Sequence, residues 1–278
     1  MKEINDILKA YQKLDISKNK TALATVIHVE GSSYRRMGAR MLVMENGRWI
    51  GGISGGCLEG DALLKAKQAM VQNKSRIVTY DTRDEDSHQI GIGLGCNGLI
   101  QVLISPLMPD DERNPLEILK NCVEDRAANL LVTVTKIRGE IAQKISVGDM
   151  FRLGNGTINL NELQDSDKEN LISKDIQSVK ENRKSLLKKY DFPNGNELEL
   201  FIEYLPPTTH LALFGSNYDI YPFVRIAKEI GWKVSVVANP KKLDKSVFSI
   251  ADSVLSNKTG EVETDENTAL IFMAHDYK

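Results

Sequence analysis

Cysteine is scarce in this 278-residue chain, which has only Cys57, Cys96 and Cys122, an odd number placed far apart. That spacing provides no disulfide framework, and the lack of any CxxC or CxxH partner argues against a structural zinc site. A surplus of positive charge is missing too. The 36 basic residues face 38 acidic ones, for a formal net charge of −2, so no bulk field draws nucleic acid or an acidic membrane surface. No apolar run approaches the ~18 residues of a membrane span. Charges interrupt the N-terminus, Met1-Lys2-Glu3-Ile4-Asn5-Asp6, before a secretory hydrophobic segment can form. No internal repeat and no low-complexity tract stands out. Together these absences favour a cytoplasmic protein with free thiols that engages neither nucleic acid nor membrane.

What the sequence does have is clustered glycine. Gly51-Gly52-Ile53-Ser54-Gly55-Gly56-Cys57-Leu58-Glu59 precedes a stretch with helical spacing, and Gly91-Ile92-Gly93-Leu94-Gly95-Cys96-Asn97-Gly98 repeats the theme. Consecutive main-chain N–H groups at a glycine-rich helix start can cradle an anion such as phosphate. A cysteine there sits at the positive end of the helix dipole, which favours a thiolate. From residue type alone Cys57 stays open between metal or cofactor ligand, sulfur carrier and small packing residue. Arg35-Arg36 supplies a candidate anion clamp beside a solvated-pair reading. His28 and His88 are possible further ligands, although a lone histidine is more often structural.

Periodicity predicts a helix over 3–15, a buried strand over 21–30, and a hairpin of 39–44 with 48–50 around Asn46-Gly47. A helix over 58–71 and strands over 76–80 and 99–105 follow. Beyond Pro115, which opens a helix to 126, strands are expected over 129–137, 140–145 and 197–204. The charged stretch 165–190 reads as one or two surface helices. After Pro206-Pro207 the order strand 210–214, glycine turn, helix 222–230, strand 233–238 and strand 269–274 opens a Rossmann unit. Its fingerprint is damaged. Gly215 is kept, but Asn217 and Ile220 stand at the other two glycine places, and no acid ends the second strand at Val237-Ala238-Asn239-Pro240. NAD(P) binding is therefore disfavoured.

The fold expected is α/β: an N-terminal mixed α+β cysteine-loop domain (1–107), a middle segment of mixed strands and charged helices (108–207), and a C-terminal Rossmann-like parallel three-layer domain (208–278). That last domain reads as truncated at Lys278, so a partner covering its sheet edge, and hence a homodimer, is expected.

The residues Gly31-Ser32-Ser33, Arg35, Gly38-Ala39 and Met41-Leu42-Val43, followed by Gly47, Gly51, Gly55-Gly56-Cys57-Leu58-Glu59 and then Gly93-Leu94, Cys96 and Gly98, resemble the XdhC/CoxI family of xanthine dehydrogenase accessory proteins. A weaker likeness continues through Phe214-Gly215, Asp219, Pro222 and Arg225-Ile226-Ala227. Departures are Tyr34 where proline is frequent, Asn97 for a glycine, and Ser216-Asn217 for Ala-Gly. The resemblance implies a non-enzymatic maturation chaperone. It would bind molybdenum cofactor (molybdopterin) as cargo, protect it during sulfuration with a cysteine desulfurase, and assist insertion into a xanthine-dehydrogenase-type molybdenum hydroxylase. The cofactor-binding residues so implied are Arg35, Gly55, Gly56, Cys57, Glu59, Gly93, Gly95, Cys96 and Gly215, with Cys57 and Cys96 near the molybdenum. The alternatives are an NAD(P)-dependent oxidoreductase and a scaffold without chemistry of its own.

Overall fold

In a computed structural model of the chain, the residues described are 1–15, 19–81, 83, 97–108, 111, 113–124, 126–143, 145–153, 166–192, 195–256 and 261–273. They belong to two compact units, Glu3–Pro206 and Pro207–Lys278, the second taking in Met1–Lys2.

The larger unit opens with helix α1 (Lys2–Gln12), whose apolar stripe Ile4, Ile7, Leu8 and Tyr11 is buried. Strands β1 (Thr21–Gly31), β2 (Arg40–Met44) and β3 (Trp49–Gly51) follow, then helix α2 (Glu59–Gln72) and strands β4 (Arg76–Asp81) and β5 (Gly98–Leu107). They form an antiparallel sheet in the order β3-β2-β1-β5-β4. One face packs on α2 through Ala22, Ala24, Val26, Met41 and Val43 against Ala62, Ala66, Ala69 and Met70. The small helix residues let α2 lie close to the β-branched sheet surface.

The chain then repeats itself, contrary to the expectation of no repeat. Helix α3 (Pro115–Glu124), β6 (Asn129–Arg138), β7 (Met150–Arg152), α4 (Ser166–Asn182), β8 (Leu186–Asp191) and β9 (Glu197–Leu205) form a second sheet in the order β7-β6-β9-β8. This is the β2-β1-β5-β4 order of the first. Details match as well. Both long pairings shift register at the same place, Val26/His28 and Val134/Lys136. Gly31 ends β1 and Gly139 directly follows β6, with φ of +70° and +88°, and Asn73 and Arg183, at φ +46° and +52°, follow α2 and α4. Lys74-Ser75 through Tyr80-Asp81 is echoed by Lys184-Ser185 through Tyr190-Asp191. Each tyrosine hydroxyl donates to a carboxylate of its own helix, Tyr80 to Asp61 at 2.9 Å and Tyr190 to Asp175 at 2.8 Å.

The uncovered faces of the two sheets meet. Leu103 and Phe201 hold equivalent register positions and share a cluster with Ile27, with Met37, Ile77, Val147 and Leu187 packed around it. The outer face of the second sheet buries Ile172, Ile176 and Val179 of α4. The unit is thus layered helix, sheet, sheet, helix. The boundary expected near residue 107 falls between the repeats inside this unit. Two middle-region expectations need correction. Residues 140–143 form a 3-10 turn, with the strand displaced to β7, and the charged stretch holds one helix followed by strand β8.

The smaller unit comprises β10 (His210–Phe214), α5 (Ile220–Glu229), β11 (Lys233–Ala238), α6 (Lys245–Ile250), β12 (Ser253–Ser256) and β13 (Thr268–Phe272). Its strands run parallel in the order β12-β11-β10-β13. The sheet has four strands where three were expected. Helix α6, capped by the Asp244 carboxylate accepting from Ser246 N–H, carries the chain into the unexpected β12. No helix among the described residues is long and apolar enough to cross a membrane.

Candidate functional site

Strand register brings three connections to one end of the first sheet. Gly31, ending β1, pairs with Gly98, which starts β5. Asp81, ending β4, pairs with Leu99. Gly51, ending β3, pairs with Met41 at the start of β2. The β1–β2 connection with Arg35, the glycine loop with Cys57, and both described flanks of the second glycine–cysteine loop therefore lie together. Backbone contact ties two of them directly, since Ser32 N–H donates to the Asn97 carbonyl at 2.9 Å. A Cβ on Gly31 would stand 2.6 Å from that carbonyl, so this approach requires glycine.

The Cys57 loop is shaped from inside by Glu59. Its carboxylate is buried and accepts from Ile53 N–H at 3.1 Å, from Ser54 N–H at 2.8 Å and from the Ser54 hydroxyl at 2.5 Å. The Ser54 oxygen accepts in turn from Gly56 N–H and Leu58 N–H, at 3.2 and 3.0 Å. Burial pushes the Glu59 carboxyl up, but the Ser54 hydroxyl and the main-chain donors outweigh it and hold the group below its ordinary range. Ile53 and Leu58 anchor the loop in the core, while Gly55, Gly56 and Cys57 are exposed. The Tyr34 ring, from the β1–β2 connection, lies against Gly55.

The first turn of α2 is arranged to the same effect. Its two acids turn inward, Glu59 to the loop and Asp61 to the Tyr80 hydroxyl. The N-cap residue, Leu58, makes no side-chain cap hydrogen bond, and among the described residues a Cβ at Gly56 or Gly60 would meet nothing within 4 Å. Among the described residues, the exposed Cys57 thiol thus lies beside the first turn of a helix, where an anion is favoured.

The other expected site residues fall differently. Gly93, Gly95 and Cys96 lie outside the described residues, as does His88. Arg35 donates from its guanidinium to Glu3 of α1, so the clamp is engaged within the protein. His28 pairs with Glu30, which also accepts from Arg83 at 2.9 Å. Gly215 has a packing reason of its own, because a Cβ there would lie 2.8 Å from the Met273 carbonyl. Sequence reasoning gave Glu3, Tyr34 and Ser54 no role at the site. Of these only Ser54, inside the glycine run with an acid five residues on, carried a readable signal.

Comparison with known proteins bears on this end of the sheet. The XdhC and CoxI family model matches residues 17–81, which run from before β1 to the end of β4. A probable xanthine dehydrogenase subunit from Bacillus subtilis (strain 168) is 28% identical over 267 residues, covering 94% of this chain and 74% of that protein. The molybdenum cofactor insertion chaperone PaoD of Escherichia coli (strain K12) is 32% identical over 111 residues, 40% of this chain and 33% of that one. A crystal structure of a xanthine dehydrogenase from Bacillus halodurans superposes with a TM-score of 0.67 at 26% identity, over 99% of this chain and 75% of that one. Residues 17–81, which carry Arg35, the glycine loop and Cys57, are thus the part of the chain that matches the XdhC and CoxI family.

Proposed function

We propose that this chain is an accessory protein that binds molybdenum cofactor as cargo and assists its sulfuration and insertion into a xanthine-dehydrogenase-type molybdenum hydroxylase. One observation carries the reading: three connections meet at one sheet end, and the one bearing Cys57 combines an exposed thiol with a helix start whose N-cap residue, Leu58, makes no side-chain cap bond. These donors suit a cargo with a phosphate at one end and a metal–sulfur group at the other. The N–H groups at the start of α2, with those of the loop not already given to Glu59, Ser54 and Arg40, hold the phosphate, and Cys57 lies toward the metal end as ligand or sulfur relay. Cys96, outside the described residues, is the second thiol proposed for the cargo. Glu59 acts on the loop, and Arg35 joins the anion only by leaving Glu3. A cysteine desulfurase supplies the sulfur, the setting is cytoplasmic, and two copies associate. Two relatives support the assignment, one named for xanthine dehydrogenase and one for cofactor insertion.

The test is co-expression with cofactor biosynthesis, followed by molybdenum and pterin analysis of the purified protein. Wild type carries both and Cys57→Ala carries less. Absence of both from wild type, or equal loading of the variant, refutes the proposal.

A second reading has its own observation. The strand order of the smaller unit reverses at β10, whose end leads through Gly215 into α5. That is where a Rossmann-like sheet receives a nucleotide. Fluorescence titration with NADH separates the two, because tight binding of nucleotide without pterin favours an oxidoreductase.

A further inference from the structure

The two repeats differ at one buried pair as well as in their loops. Arg40 starts β2 and faces the second sheet, where it meets Glu203 of β9. The contact is bidentate, Nη1 to Oε1 at 3.0 Å and Nη2 to Oε2 at 2.5 Å, with side chains 1% and 4% exposed. We infer that Glu203, from the second repeat, is a positioning residue for the Cys57 loop and acts through Arg40. Its importance for cargo rests on reading this sheet end as the cofactor site.

Arg40 is where the connections of the site are tied. Its Nη1 also donates to the Gly38 carbonyl at 2.8 Å, and a Cβ on Gly38 would stand 2.6 Å from Glu203 Oε1. The carboxylate is therefore seated directly on the β1–β2 connection that presents Tyr34 and Arg35. The Arg40 N–H donates to Glu3 Oε1 at 2.8 Å, while the other Glu3 oxygen accepts from Arg35. The Arg40 carbonyl accepts from Gly52 N–H at 2.9 Å, at the entry to the glycine loop. Two routes thus lead from Glu203 to that loop. One runs through the Arg40 main chain to Gly52, the other through Gly38 and its connection to Tyr34 against Gly55.

The repeat supplies an internal control. By register, Met150 stands where Arg40 does and Ser105 where Glu203 does. The contacts are reciprocal, since a Cβ on Gly148 would lie 2.9 Å from the Ser105 hydroxyl. The same junction is therefore closed on the other side without charge, with Met150 and Ser105 both buried. Ion pairing is not what the sheet-to-sheet contact demands. It also carries a cost, because two charges are desolvated and Arg40 Nε is buried with no hydrogen-bond partner among the described residues. The charged version occurs only on the side of the repeat that bears Cys57.

The decisive variant copies the other side into the full-length chain, Arg40→Met/Glu203→Ser, expressed with cofactor biosynthesis. The expected result is a folded protein with near-wild-type thermal unfolding. Amide exchange at Gly52, Ile53 and Ser54 rises about tenfold or more, iodoacetamide alkylation of Cys57 changes in rate, and bound pterin falls. Glu203→Gln moves exchange and alkylation in the same direction by less. Unchanged exchange and alkylation in a folded double variant overturns the inference. So does failure of that variant to fold, which would make the pair part of the fold itself. The exchange and alkylation readings need no cofactor. Wild type free of pterin would therefore refute the proposed cargo while leaving the positioning role to be decided by the loop.

Discussion

Glu59 shows how one carboxylate can set the shape of a loop that is otherwise mostly glycine. It accepts three hydrogen bonds from Ile53 and Ser54, and the Ser54 oxygen gathers two more N–H groups. Glu59→Gln keeps the volume but replaces an acceptor of charge-assisted bonds with a neutral amide. The expected loss is about 1–3 kcal/mol, read by chemical denaturation, with faster exchange at Ser54. The pH dependence follows from the same contacts. Because the folded carboxyl lies below its ordinary 4.5, the unfolded chain binds the proton more readily. The stabilisation is fully present above the ordinary value and is lost as pH falls through the lower folded one. Amide exchange of the loop, corrected for its intrinsic pH dependence, is expected to hold level from pH 7 down to about 5 and to rise below about 4. A loop equally protected at acid pH would show that Glu59 is not its organiser.

At the scale of elements, equivalent parts of the two repeats should respond alike. Tyr80→Phe and Tyr190→Phe each remove a hydroxyl bonded to a carboxylate of the packing helix, and each is expected to cost about 1–2 kcal/mol in urea denaturation. Gly139→Ala is expected to cost more than either, because φ is +88° and the added Cβ would lie 1.7 Å from Asn196 Oδ1. Much of this architecture was legible in the sequence. Strands β1, β2, β5, β6 and β9 announce themselves by β-branched or alternating residues, and α1 by its stripe. Strand β8 did not, because Lys188 and Lys189 make a half-buried edge look like solvated helix. The pairing of Tyr190-Asp191 with Tyr80-Asp81 was the available signal, and it was weak because the α2 and α4 sequences differ. The glycine loop and Cys57 were legible as a candidate from glycine density and helix position, and register places them at one sheet end with the β1–β2 connection. The Arg40–Glu203 pair was not, since its partners are joined only once two sheets stack. Its one trace is a charged residue at an inward position of each strand.

For the whole molecule, the unit Glu3–Pro206 is the smallest body in which both sheets are covered. Residues 3–206 expressed alone are expected to unfold in one cooperative transition. Residues 3–107 alone should aggregate, because they expose Ile27, Leu103 and an unpaired Arg40. Sedimentation and denaturation of the two fragments check this, and a monomeric, cooperatively folded 3–107 would contradict the account. The covalent link between the repeats has a further consequence. Two identical half-size chains meeting through these sheets would come apart on dilution, whereas here the encounter is intramolecular and its effective concentration is set by the tether. The face that carries Cys57 therefore stays assembled when the protein is rare, and one flank of the junction has been able to acquire charge while the other kept Met150 and Ser105.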